Sequence, residues 1–227
     1  LRRFIAGVVL LVGAVHLAVA QDILTAERLL AAVGEKYAAV KDFQAKLAVA
    51  SAKATMKGTI IQRAPNLLRI DFTQPEEQVI AFNGEALTVY LPQYRAVLSQ
   101  PVATAAGAGG GAGLASAEGL KIMRRNYTVA YTVGPDPMPL DVGSATLTHK
   151  LTLTRRSLSE GFTELKLDID PATMLIRRIV GRTLAEETVS FEFTDIVLNQ
   201  GIPEARFVYD PPASANLYNN FLYQETD

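Results

Sequence analysis

The segment Ala64 to Leu98, APNLLRIDFTQPEEQVIAFNGEALTVYLPQYRAVL, constrains the fold most, because its residues alternate between apolar and polar over several short runs. Leu68, Ile70 and Phe72 share one side of an extended chain, with Arg69 and Asp71 on the other. Leu87, Val89 and Leu91 repeat the pattern against Thr88 and Tyr90. A period of two is the signature of a half-buried strand. Between the runs stand Thr73-Gln74-Pro75, a break, and Asn83-Gly84, which signals a two-residue type I′ hairpin with both central residues at positive φ. Consecutive antiparallel strands with one apolar face are expected here.

The same pattern governs the later chain. Leu147, Leu151 and Leu153 alternate with Thr148, Thr152 and Thr154; Leu165, Leu167 and Ile169 with Glu164, Lys166 and Asp168; Val189, Phe191 and Phe193 with Ser190, Glu192 and Thr194. Gly134-Pro135-Asp136-Pro137, Ser159-Glu160-Gly161 and Asp170-Pro171-Ala172 are turns that keep the strands short. An earlier strand-period stretch starts at Phe43, with Gly58 allowing close approach or a bend and Pro65 ending it. The fold class expected is mainly β with a few helices. Its centre is a strongly curved antiparallel sheet, an incomplete β-barrel of about ten or eleven strands.

Two helices are expected to cover that sheet. Asp22 to Asp42 carries Thr25 as N-cap, although Arg28 stands where a capping box needs Glu or Gln. Ala26, Leu29, Leu30, Val33, Tyr37 and Val40 form its apolar stripe. A shorter helix is expected from Leu114 to Arg125, with Leu114, Leu120 and Met123 as apolar contacts and Gly119 as a weak point. It follows a Gly/Ala interval, flexible over 103–113, whose side chains are too small to build a packed element. A lid over an apolar cavity and a tolerated surface insertion both fit that arrangement.

At the beginning, Arg2-Arg3 precede an uncharged apolar run from Phe4 to Ala20 that ends in Ala18-Val19-Ala20. This is the pattern of a cleavable signal peptide over residues 1–20, with a retained anchor as the alternative. Without a cysteine to acylate, the expectation is a single exported domain, 21–227, released as a soluble protein by cleavage after Ala20. Cysteine is absent from the whole chain, which excludes disulfides, thiolate nucleophiles and thiolate metal sites. A net charge of −1, with its basic pairs scattered among acids, gives no nucleic-acid footprint. About 200 residues can bury a substantial core without staples.

Chemistry is sparse. His149 is the one histidine after the apolar run and has no partner at metal-ligand spacing. Asp168 and Asp170 lack the other oxygens of a calcium loop, and Asp170-Pro171 reads as turn initiation. No nucleophile elbow, P-loop or dinucleotide fingerprint occurs. No enzyme activity, metal or cofactor is expected.

Taken together, Ala64-Pro65-Asn66-Leu67, Thr73-Gln74-Pro75, Asn83-Gly84, Leu87 to Pro92 and Phe207-Val208-Tyr209-Asp210-Pro211-Pro212 resemble the periplasmic outer-membrane lipoprotein carrier family, LolA-like. The resemblance implies a half-barrel closed by helices, whose apolar concave face holds lipoprotein acyl chains in transit from inner to outer membrane. Leu68, Ile70, Phe72, Leu87, Val89, Leu91, Leu151, Leu165, Leu167, Phe191 and Phe193 are then the expected lining, with Leu114, Leu120 and Met123 as lid. It also implies acylated lipoproteins as partners of a monomer, an inner-membrane releasing transporter and an outer-membrane acceptor. Many members have Arg directly before the Pro-Asn pair, where it contributes to opening and closing. This chain has Ala64 there and Arg63 one place earlier, so Arg63 is the gating candidate. Two rival readings share the architecture: a half-barrel sensor of lipid or lipoprotein in envelope stress signalling, and an envelope lipid enzyme.

Overall fold

The computed structural model describes residues 24–102, 113–157 and 161–220. The expected signal segment and cleavage site, the Gly/Ala interval up to residue 112 and the turn expected at Ser159-Glu160 lie outside them. Helix α1 (Ala26–Ala38) begins where Thr25 Oγ1 accepts the Arg28 N–H at 3.2 Å. Ala26, Leu29, Leu30, Val33 and Tyr37 are buried along one stripe, as the spacing requires. The helix is shorter than the expected Asp22 to Asp42, since Asp42 opens the first strand.

Six antiparallel strands follow in sequence: β1 (Asp42–Ser51), β2 (Thr55–Arg63), β3 (Leu67–Gln74), β4 (Glu76–Phe82), β5 (Ala86–Leu91) and β6 (Ala96–Pro101). Helix α2 (Ala117–Asn126) leads into β7 (Tyr127–Tyr131), the two-residue β8 (Met138–Pro139), β9 (Leu147–Arg155), β10 (Phe162–Ile169), β11 (Ile176–Thr183) and β12 (Thr188–Leu198). Pairing of β1 with β12 joins the two halves into one curved, unclosed sheet. A last strand, β13 (Asn216–Asn219), pairs with β6, and β13 and β7 form the two edges.

Among the described residues, thirteen strands therefore replace the expected ten or eleven, and one pairing, β13 with β6, is parallel. Neither β8 nor β13 has a buried residue, so neither carries an alternation that sequence can display. The Asn83-Gly84 hairpin also differs from expectation. Three residues separate β4 from β5, and of the pair only Gly84 has positive φ, at +99°. The Asn83 side chain instead accepts the N–H groups of Glu85 and Ala86 at 3.0 and 2.9 Å, supplying the turn bonds itself. Asp170 does the same for Ala172 and Thr173 at its turn.

One large apolar cluster fills the concave side, drawing on α1, α2 and the inward residues of strands from β1 to β12. Gly58 is close-packed: a Cβ there would collide with the backbone of Asp71 and Phe72, beside a register shift between β2 and β3. The outer face carries two smaller clusters under the returning chain, residues 199–219. Ile202 and Phe207 cover Ile61 and Leu67, while Tyr209 and Ala215 cover Val79, Ala81, Tyr90 and Val97. Polar clamps fix this strap to the sheet. Gln200 and Gly201 donate their N–H groups to the Asp42 carboxylate at 2.6 and 2.9 Å. Arg69, held by Asp71, donates to the carbonyls of Arg206 and Val208 and lies 5.6 Å from the Tyr209 ring centroid.

Candidate functional site: an apolar interior and its mouth

Leu68, Ile70, Phe72, Leu87, Leu151, Leu165, Leu167, Phe191 and Phe193 are all buried in the concave cluster, with Val89 packed against it half-buried. Leu91 is placed differently. It ends β5 half-exposed and outside that cluster, while its neighbour Tyr90 is buried on the opposite face beneath Tyr209, with ring centroids 5.7 Å apart. Covering by the strap makes both faces of β5 count as interior, so alternation alone misjudges its end.

Helix α2 is set into the same cluster. Leu120 and Met123 have no exposed surface, Leu114 retains 9%, and Ala115 is fully buried beside them. The helix starts at Ala117 and not Leu114, because Ser116 serves as N-cap: its Oγ accepts the Gly119 N–H at 3.1 Å and donates to Gly113 O at 2.7 Å. Gly119 is the contact that lets the preceding chain fold against the helix, since a Cβ there would collide with the Leu114 backbone. A glycine that weakens an isolated helix is what lets this one dock.

Where α2 begins, a narrow pocket of about 50 Å³ opens beside the interior. Tyr37 borders it from α1 and Val40 from the link after it, Phe43 from β1, Gln62 and Arg63 from β2, Pro65 and Asn66 from the β2–β3 turn, Leu67 and Leu68 from β3, and Ser116 to Glu118 from the cap and first turn of α2. Tyr37 is neutral: burial pushes its hydroxyl far up, and Oη accepts the Ile176 N–H at 3.1 Å. Arg63 lines this mouth but turns its guanidinium to the strap, donating to Ile202 O at 2.9 Å and lying 3.4 Å from the Glu204 carboxylate. Gln62 escaped the sequence reading. The signal was present, since Met56, Gly58, Ile60 and Gln62 share one side of β2 and a lone amide ends that apolar phase.

The acid and histidine positions have local partners. Asp168 holds Lys150 Nζ at 2.7 Å and Thr148 at 3.4 Å, and His149 Nδ1 lies 2.9 Å from Pro135 O. Among the described residues, no three or more of His, Asp and Glu gather as a metal site. What the site offers is an apolar volume, a docked helix and a polar rim.

The family model described as outer membrane lipoprotein carrier protein LolA matches residues 40–130, from the end of α1 through the β1–β6 meander and α2 into β7. Over that stretch, about two fifths of the chain, the sequence is similar to the LolA family. An uncharacterized conserved protein of Thermus thermophilus is similar in structure, with a TM-score of 0.56 and 14% identity, covering 86% of this chain and 98% of that one. At that identity it establishes the fold. Also similar are Mycobacterium tuberculosis lipoprotein LppX (TM-score 0.47, 12% identity, 77% of this chain and 97% of that one) and the Pseudomonas aeruginosa MucA/MucB complex (0.49, 13%, 85% and 63%). No curated protein matches by sequence. Among the described residues, no helix is long and apolar enough to cross a membrane.

Proposed function

We propose that this protein is a periplasmic, non-enzymatic carrier that shelters the acyl chains of lipoproteins between inner and outer membrane. The observation that carries the reading is the seating of α2: this short helix and the turn before it, preceded by a Gly/Ala-rich segment, fill the concave face with Leu114, Leu120 and Met123 beside the mouth. Magnitudes favour exchange. Three such side chains contribute about 1.5–3 kcal/mol each, whereas an acyl chain gains about 0.8 kcal/mol per buried methylene. A chain longer than about eleven methylenes therefore outweighs even the upper figure for the helix. Strand residues Leu68, Ile70, Phe72, Leu151, Leu165, Leu167, Phe191 and Phe193 form the acyl-binding wall, and α2 leaves as the chain enters. An empty carrier closed in this way hides its apolar surface from water.

Loading by an inner-membrane transporter and delivery to an outer-membrane acceptor complete the cycle, with the protein acting as a monomer. The test is organic extraction of protein purified from the periplasm, lipid mass spectrometry, and transfer of a labelled triacylated lipoprotein between vesicles. Co-purified acyl lipid and protein-dependent transfer are expected. A ligand-free interior with no transfer defeats the reading, and turnover of the lipid replaces it with an enzyme.

A further inference from the structure

Across the sheet at the level of the mouth, Phe43 of β1 pairs with Gln62 of β2, Gln62 with Leu68 of β3, and Leu68 with Phe82 of β4. Phe43, Leu68 and Phe82 are buried hydrophobes. Gln62 is an amide in the same row, only 8% exposed, and its Nε2 is buried without a hydrogen-bond partner among the described residues. An unpaired buried amide is destabilising, whereas an apolar residue of the same shape carries no such penalty. Gln62 also borders the mouth pocket. The amino end of α2 borders that pocket too, and its dipole favours a hydrogen-bond acceptor there.

We infer that the Gln62 carboxamide donates a hydrogen bond to an ester carbonyl of the bound acyl ligand, fixing the linkage at the mouth while the hydrocarbon lies inward. This rests on the carrier reading. A carbonyl is an acceptor without a charge, so it can be buried beside Phe43 and Leu68 once the amide satisfies it. An acyl linkage joins such a carbonyl to a long apolar chain, which matches one buried donor at the edge of an apolar interior. Gln62 is thus a specificity residue, separating acylated from merely alkylated ligands.

The test uses two probes delivered from cyclodextrin, dipalmitoylglycerol with ester carbonyls and its ether counterpart dihexadecylglycerol without them, each competing against a fluorescent fatty acid. Wild-type protein is expected to bind the ester about three- to tenfold more tightly, the value of one net hydrogen bond. In Gln62→Met the ratio falls to about one, affinity for the ether probe is kept, and the thermal midpoint stays level or rises because an unpaired amide is gone. Gln62→Leu repeats the measurement should the Met variant not fold. Equal binding of both probes by wild type, or an unchanged ratio in the variants, overturns the role of Gln62 and leaves the carrier reading standing. Binding of neither probe overturns both.

Discussion

On the concave side of the sheet, α2 is held by apolar side chains packed into one cluster; on the outer side, the 199–219 strap is held by directional bonds, Asp42 to Gln200 and Gly201, and Arg69 to Arg206 and Val208. Apolar contact is non-directional, so hydrocarbon from another molecule can substitute for the helix. Hydrogen bonds to specific backbone groups have no such substitute. The same sheet thus presents one face packed without direction, as the proposed exchange requires, and one covered through directional bonds.

Breaking the concave cluster at its centre has the largest effect. Phe193 is fully buried with its ring edge-on to Phe43, centroids 6.2 Å apart, and Phe193→Ala is expected to lower stability by about 3–5 kcal/mol in urea denaturation. Leu120→Ala, on α2, comes next at about 2–4 kcal/mol for the ligand-free protein. Here the proposed exchange predicts an opposite second readout: fatty-acid affinity increases, because the displaced helix competes less. A parallel fall in affinity would make α2 a fixed part of the wall. On the outer face, Asp42→Ala leaves two N–H groups unpaired and is expected to cost about 1–3 kcal/mol. Hydrogen exchange should speed at Gln200 and Gly201, with acyl binding unchanged.

The smallest effect concerns pH. Asp141 sits in the loop that crosses the outer side of β11, paired to Arg178 by two bonds of 2.8 Å, and the guanidinium holds its carboxyl below the usual carboxylate range. A depressed folded-state value contributes stability above the unfolded carboxylate range, and that contribution disappears as pH falls through the depressed value. Asp141 is exposed, so the expected result is local: faster exchange in the 134–146 loop under acid conditions, abolished in Asp141→Asn, with the strap and α2 undisturbed.

Alternation located the principal strands, and the spacing of Leu29, Leu30, Val33 and Tyr37 located α1, because each pattern follows from backbone geometry within a few residues. Thr25 and Asp170 were readable as a cap and a turn for the same reason. Leu91 and Tyr90 were not, since which side of β5 is interior depends on Tyr209, more than a hundred residues later. Gly119 reads as a helix weakness in the sequence, and only the Leu114 backbone packed against it shows its use. Gln62 occupied an inward phase in plain view, but only the surrounding packing shows that its Nε2 lacks a partner among the described residues.

The sequence by itself determined where chain segments are extended or helical and which of their sides are apolar, because those properties depend on neighbours in the chain. Tertiary structure alone decided that residues 199–219 cover the outer face, that β13 runs parallel to β6, and that the mouth opens beside Gln62. Those outcomes depend on residues far apart in sequence competing for the same surface, and no local pattern records which of them meet.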